Sequence, residues 1–290
     1  MNKIKLFAVF IMMHSFAASS FSQNLKRSFI KDSLDRYVMK ALQEWNIPGV
    51  AVCIVKDGQV VVMKGYGVKQ MNTKDSVDVN TLFMIGSNTK AFTATALAML
   101  DNEKKLSLDD KVTKWIPEFK LDNKLAGEQA IIRDLLCHRL GFMTFQGDFT
   151  YWKSNLTRAE VIEKMGHIKA VYPFRTTWGY TNAAFLTAGQ IIPKVTGIQW
   201  EEYMKQKIFD PLGMTRTLAL SKDLPNATNK AIPHTIVDGK LITEPYPNLD
   251  NLAPAGAIST SVNDMSKWIS MLLNNGTYMG KNIIPAKAIA

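Results

Sequence analysis

Two residues three positions apart, Ser87 and Lys90, have the types and spacing of a nucleophile and its general base. They open the segment FMIGSNTKAFTATALAML at 83–100, which is apolar on every face after Ser87. A helix that is hydrophobic all round is a buried helix, and the i, i+3 spacing places both side chains on one helical face. Burial and the positive end of the helix dipole both favour the neutral amine of Lys90, which could then deprotonate the Ser87 hydroxyl.

A simpler interpretation makes Ser87 an N-cap, whose oxygen accepts a backbone N–H of the first turn. That interpretation predicts Glu or Gln at the third helical position, but Lys90 stands there, at a cost of about 0.3–1 kcal/mol against the helix dipole. A departure from the capping preference in the first turn of a buried helix favours a functional site. The spacing alone is weak, because Ser28 and Lys31 repeat it on a predicted surface helix; only Ser87 follows a strand pattern and a glycine, Gly86.

Two further candidates, Tyr180 and Asn182, follow the turn 177–179 at the predicted start of a helix. The phenol could carry a proton to a leaving group with the help of the lysine, and the amide could orient a substrate. The alternative is that Tyr180 packs in the core and Asn182 caps the helix. A second Tyr-x-Asn match at Tyr246 and Asn248 lies in a proline-rich loop and ranks below the first.

Both strands and helices are needed to position these residues, so we predict an α+β fold. Runs rich in β-branched residues at 50–55 and 60–63 flank an Asp-Gly turn, which is a strong hairpin signal, and a second hairpin is predicted at 234–242. Residues 106–214 show almost no strand pattern, which predicts an α-rich block inserted between strands of one sheet. The predicted helices are 28–45, 157–165, 183–192 (meeting a kink at Pro193), 198–209 and 262–273.

Composition and charge exclude several classes of protein. The chain has 290 residues, 47% of them apolar and 21% charged, which argues against disorder and fits one or two domains. Its formal charge is +10, but lysines at 104–114 are interleaved with acidic residues, so we predict a solvated basic surface and no nucleic-acid site. Metal spacings such as HExxH and CxxC are absent from the sequence, and we predict no metal and no cofactor.

Residues 1–23 have the order of a secretory signal peptide. Two lysines precede an apolar run at 6–16 and then small residues, with cleavage predicted near Ser22 or Gln23. The apolar run is short for a transmembrane anchor. We therefore predict a periplasmic or secreted protein whose domain occupies 24–290, and association with an anionic cell envelope stays open.

The two cysteines, Cys53 and Cys137, lie far apart in sequence. An exported protein can pair such residues, but Cys53 falls in an apolar strand pattern, where a small buried thiol fits as well. Cys137 and His138 are neighbours, and neighbours on a helix do not face each other, so their adjacency makes no catalytic dyad. The sequence leaves the disulfide open.

Five segments together resemble the serine β-lactamase and penicillin-binding protein superfamily, in its class C β-lactamase-like branch of exported serine hydrolases. They resemble the family's nucleophile segment, its short motif before the active-site loop, its Tyr-x-Asn element and two structural signatures. The resemblance covers about Trp45 to Lys281 and is specific because the segments occur jointly. The segments are 83–93 (FMIGSNTKAFT), 135–141 (LLCHRLG), 179–182 (GYTN), 211–214 (PLGM) and 254–257 (PAGA) with Asp264 following.

The resemblance implies a role for each candidate residue. Ser87 would be acylated, Lys90 would deprotonate it, and Tyr180 would relay protons to and from the leaving group and water. Asn182, and Gln146 in the loop before it, would hold the substrate amide. The backbone N–H of Ser87 would be one donor of the oxyanion hole.

The resemblance also implies a fold, a largely antiparallel sheet flanked by helices plus an all-helical subdomain at about 106–214, with the site between them. The family's third motif, Lys or His followed by Thr or Ser and Gly, is absent here; 194–197 (KVTG) has the wrong spacing. That motif supplies a second oxyanion donor, and losing one donor costs around 10²–10³ in rate. We therefore expect that the chain is the N-terminal portion of a longer protein, lacks the last sheet strands, and is inactive by itself.

Two classes of function follow. The first is an exported serine hydrolase that cleaves an amide or ester bond, in a small-molecule or peptide substrate, through an acyl-enzyme on Ser87. The sequence does not separate a peptidase, an esterase and a β-lactamase. The alternative is a catalytically inactive binding protein for peptidoglycan-like or acyl ligands on the same scaffold, against which intact Ser87, Lys90 and Tyr180 argue. In either case we expect a monomer.

Overall fold

The computed structural model describes residues 29–289, which combine many helices with short strands. The predicted N-terminal helix begins as a π-helical turn at Phe29–Ser33, and a second such turn at Lys205–Phe209 joins two later helices. The α-helices are α1 (Leu34–Glu44), α2 (Thr89–Asn102), α3 (Val112–Trp115), α4 (Lys124–Gln129), α5 (Ile132–Leu136), α6 (Arg158–Gly166), α7 (Asn182–Thr196), α8 (Trp200–Met204), α9 (Asp210–Leu212), α10 (Ala253–Gly256) and α11 (Val262–Leu273).

The strands pair in antiparallel ladders of two. The pairs are β1 (Gly49–Lys56) with β2 (Gln59–Gly67), β3 (Phe83–Met84) with β6 (Ser259–Thr260), β4 (His234–Val237) with β5 (Lys240–Thr243), and β7 (Thr277–Tyr278) with β8 (Lys281–Asn282). Both predicted hairpins form. Asp57 and Gly58 turn the first one with φ of 53° and 72°, the left-handed pair that suits a two-residue hairpin. Within residues 29–289 the ladders are separate pairs and not the single sheet that the sequence predicted.

The β3–β6 pair joins the segment before Ser87 to a segment 175–177 positions later. Phe83 lies opposite Thr260 and Met84 opposite Ser259, and the N–H of Ile85 extends the pairing to the carbonyl of Ile258 at 3.0 Å. This ladder therefore brings the start of α2 next to α10, which immediately precedes β6.

Helix α2 lies at the centre of the core, as its uniformly apolar sequence predicts. It packs against α7 and α10, and Leu97 and Leu100 are fully buried. The ring of Phe92 stacks on Trp268 of α11 at 4.1 Å between centroids and meets Phe209 edge-on at 5.8 Å. The core thus forms on all sides of α2, and this packing holds the first turn of the helix in place.

A buried chain of polar contacts ties α2 to its neighbours. The indole N–H of Trp200 donates to the hydroxyl of Thr93 at 3.0 Å, and that hydroxyl donates to the carbonyl of Pro254 in α10 at 2.7 Å. Each polar group in this series of contacts has a partner, so its burial carries no unpaired desolvation penalty, and the contacts orient α10 against α2.

The segment 106–214 contains helices, turns and loops, in agreement with the predicted α-rich block. Helix α6 begins as predicted at Thr157, whose hydroxyl accepts from the N–H of Glu160 while the Glu160 carboxylate accepts from the N–H of Thr157. This reciprocal pair is a capping box. That the block forms a subdomain of its own stays a prediction.

The predicted end of α7 is wrong, because the helix continues through Pro193 to Thr196. The hydroxyl of Thr196 donates to the carbonyl of Ile192 at 2.8 Å, and Gly197 ends the helix with a φ of 73°. Proline removes one intrahelical bond but does not forbid a further turn, and glycine supplies the left-handed residue that ends it.

The structure leaves the predicted signal peptide untested, and it shows both cysteines as free thiols. The signal peptide at 1–23 lies outside the described residues. Cys53 on β1 is half-buried, Cys137 is exposed, and both thiols are free. Within residues 29–289, no helix is both long enough and apolar enough to cross a bilayer.

The packing around α2 predicts the effect of one truncation. Phe92→Ala should lower the free energy of unfolding by about 3–5 kcal/mol, because the ring is fully buried between two aromatic neighbours. Phe149→Ala, at a ring that is 76% exposed, is the matched control and should cost about 0.5 kcal/mol or less. Urea unfolding measures both, and similar losses in the two variants would contradict a core centred on α2.

Candidate active site

Ser87 lies in a single 3₁₀ turn, Gly86–Asn88, that leads into α2. Gly86 has a φ of 50°, and a side chain there would meet no neighbour, so the requirement for glycine comes from the left-handed backbone alone. The Ser87 side chain makes no N-cap bond. Its oxygen instead accepts from the Tyr180 hydroxyl at 2.5 Å and from Lys90 Nζ at 3.1 Å.

Lys90 is buried, with 7% of its surface exposed, and its nitrogen has three partners. Besides Ser87 Oγ, Nζ donates to Asn182 Oδ1 at 2.7 Å and to the carbonyl of Ala255 in α10 at 2.8 Å. Burial lowers the pKa of Lys90 to about 8, while the carboxylate of Asp148 opposes this shift. With this pKa, about a tenth of the amine is neutral at pH 7 and about half at pH 8. Such an amine can donate to the two carbonyl oxygens and accept from the Ser87 hydroxyl.

Tyr180 reaches Ser87 from the turn that precedes α7. The ring lies with its centroid 4.7 Å from Lys90 Nζ, a cation–π distance when the amine is protonated. The preceding residue, Gly179, donates its N–H to the carbonyl of His138, and a Cβ on it would lie 1.8 Å from the carbonyl oxygen of Phe142. Only glycine permits this close approach, which aims the phenol at the serine.

His138 is a positioning residue whose role the sequence reasoning missed. Its Nδ1 accepts the N–H of Thr181 at 3.0 Å, and its ring packs on Tyr180 with 4.6 Å between centroids. Burial, and then the charge of Lys90, lower the pKa of His138 to about 4, so the imidazole is neutral at neutral pH. A protonated Nδ1 could not accept this bond. His138 lies in the LLCHRLG segment that the sequence analysis selected, but that segment does not indicate which residue the imidazole contacts.

Asn182 is the first residue of α7 and does not cap it. Its Oδ1 accepts from Lys90, and its Nδ2 donates to the Tyr151 hydroxyl at 2.9 Å and to Asp148 Oδ2 at 3.1 Å. Both ends of the amide thus bind protein groups and orient the lysine. Its predicted contact with a substrate amide stays a prediction.

Gln146 is not brought to the nucleophile. Its Oε1 accepts from the N–H of Met143 at 2.8 Å, and its Nε2 donates to the carbonyl of Lys169 at 2.7 Å. The side chain therefore closes its own loop and contacts none of the other predicted site residues. The reason is local: the loop's backbone groups need partners, and the amide supplies them. The expected contact of Gln146 with a substrate amide stays a prediction.

Two residues of the same loop occupy the site instead, and the sequence reasoning did not select them. Asp148 and Tyr151 line the cavity that contains Ser87, together with Trp152, Leu249 and Leu252. The only signal in the sequence was a run of polar and aromatic residues between turns. Within the described part of the chain, no group of three or more His, Cys, Asp or Glu side chains is placed to hold a metal ion.

A family model described as Beta-lactamase matches residues 34–286 of the chain. The chain belongs to the beta-lactamase family. This confirms the resemblance to the serine β-lactamase and penicillin-binding protein superfamily and the α+β fold that it implied. The matched range contains every candidate residue of the site.

Named relatives are similar at the level of sequence. The chain is 32% identical over 253 residues to "Unguisins hydrolase ungD" of Aspergillus violaceofuscus, covering 83% of this chain and 44% of the relative. It is 30% identical over 251 residues to "Protein flp" of Staphylococcus aureus (strain MRSA252), covering 84% of this chain and 49% of the relative. The chain thus spans less than half the length of each of these two relatives.

A solved structure is similar in fold. The octameric penicillin-binding protein homologue from Pyrococcus abyssi superposes with a TM-score of 0.76 at 29% identity, covering 88% of this chain and 58% of that one. Helices and antiparallel strands therefore follow the arrangement of this superfamily over most of the chain.

The buried imidazole predicts an acid-sensitive stability. Above pH 6.5, His138 is neutral in both the folded and the unfolded protein. Between pH 6.5 and about pH 4, His138 is protonated in the unfolded protein but stays neutral in the folded one. The free energy of unfolding should therefore fall by about 1–3 kcal/mol between these pH values on account of this residue. His138→Asn keeps an acceptor and suits the left-handed backbone at this position, which has a φ of 57°.

The measurement is urea unfolding of the wild type and of His138→Asn at pH 7 and pH 4.5. The variant should lose less stability on acidification than the wild type. The control is His167→Asn, at a side chain that is 76% exposed, which should leave the acid sensitivity as it is. Equal acid sensitivity in the wild type and His138→Asn would refute the assignment.

Proposed function

We propose that this protein is an exported serine hydrolase that cleaves an amide or ester bond through an acyl-enzyme on Ser87. The observation that carries the proposal is the convergence on one oxygen: Ser87 Oγ lies 3.1 Å from Lys90 Nζ and 2.5 Å from the Tyr180 hydroxyl. Membership of the beta-lactamase family supports a hydrolase, as does the printed name of the unguisins hydrolase relative. The predicted leader at 1–23 supports export.

The proposed acylation begins with the neutral amine of Lys90. Ser87 Oγ attacks the carbonyl carbon while its proton passes to Nζ, and the carbonyl oxygen becomes an oxyanion. The bond to the leaving group then breaks, and the leaving group takes a proton through Tyr180. A water molecule later gives a proton to the Lys90–Tyr180 pair and attacks the acyl carbon; the bond from that carbon to Ser87 Oγ breaks, and Oγ takes the proton back.

One oxyanion donor is proposed to be the backbone N–H of Ser87. It lies in the first turn of the helix, where N–H groups lack partners within the helix. A Lys, His or Arg followed by Ser or Thr and Gly is absent from the 290 residues. Removal of one oxyanion donor lowers rates by around 10²–10³, so we expect these 290 residues to be inactive by themselves.

The proposal predicts a covalent adduct on Ser87. A fluorophosphonate probe should add its mass to the natively produced protein, since phosphonylation needs an activated serine but no particular substrate. Intact mass spectrometry, followed by peptide mapping, measures the adduct. Ser87→Ala should remove it, whereas Ser28→Ala, the other Ser-x-x-Lys serine, should keep it. A folded wild type that never reacts would favour the alternative, a binding protein on the same scaffold.

The proposal also predicts a pH dependence of labelling. Only the neutral form of Lys90 accepts the proton of Ser87, and its pKa is lowered to about 8. The second-order rate of labelling should rise about tenfold per pH unit below pH 8 and level off above it. Lys90→Arg should label at a low rate at every pH, because a guanidinium stays protonated. A wild-type rate that is flat from pH 6 to 9 would exclude Lys90 as the base.

A further inference from the structure

Asp148 places a carboxylate on the wall of the cavity that contains Ser87, and the reaction proposed above does not use it. The residue is half-buried and begins the 3₁₀ turn Asp148–Thr150, which directs it towards Asn182. One amide group separates it from the lysine, because Asn182 binds Lys90 Nζ at 2.7 Å through Oδ1 and Asp148 Oδ2 at 3.1 Å through Nδ2.

The contacts of this carboxylate leave acceptor capacity unused. Asn182 Nδ2 donates to both oxygens, at 3.3 and 3.1 Å, and a hydrogen bond with Asp148 raises the pKa of the Tyr151 hydroxyl after the larger effect of burial. A carboxylate has about four acceptor positions. Within residues 29–289, Asp148 forms no ion pair with a lysine, arginine or histidine.

The charge balance of the cavity changes when the site becomes reactive. Lys90 must be neutral to accept the serine proton, and its positive charge then no longer compensates Asp148. Among the described residues that line the cavity, Asp148 is the one acidic or basic residue. A partly desolvated carboxylate without a cation is unfavourable, so a positively charged substrate group would be bound strongly there.

The walls beside Asp148 suit an ammonium group. Trp152 is 53% exposed and lines the cavity with the buried Tyr151, so aromatic surface adjoins the carboxylate. Aromatic faces attract cations, and the cavity is also lined by Leu249 and Leu252, whose apolar side chains suit the small alkyl substituents of such a group. A carboxylate next to aromatic rings therefore binds an organic cation in preference to a neutral hydrogen-bond donor.

We propose that Asp148 forms an ammonium subsite, and that the protein prefers substrates whose scissile ester or amide is next to a free, positively charged amino group, as in an aminoacyl ester. This inference rests on the proposed serine hydrolase function and specifies its substrate class. Asp148 acts in it as a specificity residue, and the bond-making step stays with Ser87, Lys90 and Tyr180.

The test compares two esters that differ in one group. Alanine benzyl ester, in both D and L forms, carries an ammonium group where benzyl isobutyrate carries a methyl group of similar size. At pH 7 the wild type should hydrolyse at least one alanine ester with a kcat/KM about tenfold or more above that of the isobutyrate. Asp148→Asn should lower this ratio about tenfold, whereas the electron-withdrawing effect of the ammonium group on the ester carbonyl is the same in both proteins. Asp57→Asn, which removes an exposed charge from the β1–β2 turn, should keep it.

Three outcomes separate the possibilities. Equal kcat/KM values for the charged and neutral esters in the wild type would overturn the subsite while leaving the hydrolase proposal intact. A loss in Asp148→Asn that is the same for both esters would show that Asp148 only orients Asn182, and would also overturn it. If neither ester is cleaved and no Ser87 adduct forms, the proposed function itself fails.

A measurement on the wild type alone covers the case in which Asp148→Asn does not fold. Alaninamide should slow fluorophosphonate labelling of Ser87 at concentrations about tenfold below those at which isobutyramide does. Equal protection by the two amides would contradict the ammonium subsite without any substitution.

Discussion

The arrangement of this protein depends on one buried nitrogen. Lys90 Nζ contacts Ser87 on the first turn of its own helix, Asn182 at the start of α7 and the carbonyl of Ala255 in α10. A buried amine without such partners costs several kcal/mol, so three segments that are distant in sequence have to meet at this point. The remaining cost appears as a pKa lowered to about 8, which is also what makes the amine a base.

Several contacts elsewhere in the fold hold the three segments around Lys90 together. The short β3–β6 ladder holds the start of α2 beside α10, and the Trp200–Thr93–Pro254 chain fixes the same two helices from the core side. The neutral imidazole of His138 holds the backbone after Tyr180. The partners of Lys90 Nζ are uncharged oxygens, and the Asp148 carboxylate is separated from it by the Asn182 amide. The nitrogen can therefore lose its proton more readily than it could against a direct ion pair.

Much of the fold was predictable because its signals are local. The Asp57-Gly58 turn, the capping box at Thr157 and the apolar run of α2 depend on residues within a few positions of each other. The site was predictable where a helix start defines the geometry. Ser87 and Lys90 share a helix face, and Tyr180 meets them as expected. The position of Gln146 relative to Ser87 was not predictable, because its loop has no periodicity and left-handed residues at Phe145 and Gly147 turn the chain there.

The sequence by itself determined which residues could supply a nucleophile, a base and a proton carrier, since those roles depend on residue type and on spacing along one helix or turn. It also determined the family, through segments that occur jointly. Only the tertiary structure decided what surrounds each group. It placed Ala255 and Asn182 on the lysine, His138 behind Tyr180, and Asp148 and Tyr151 on the cavity wall. Those contacts join positions up to 165 residues apart, and a pKa is set by burial and neighbouring charges that only packing creates.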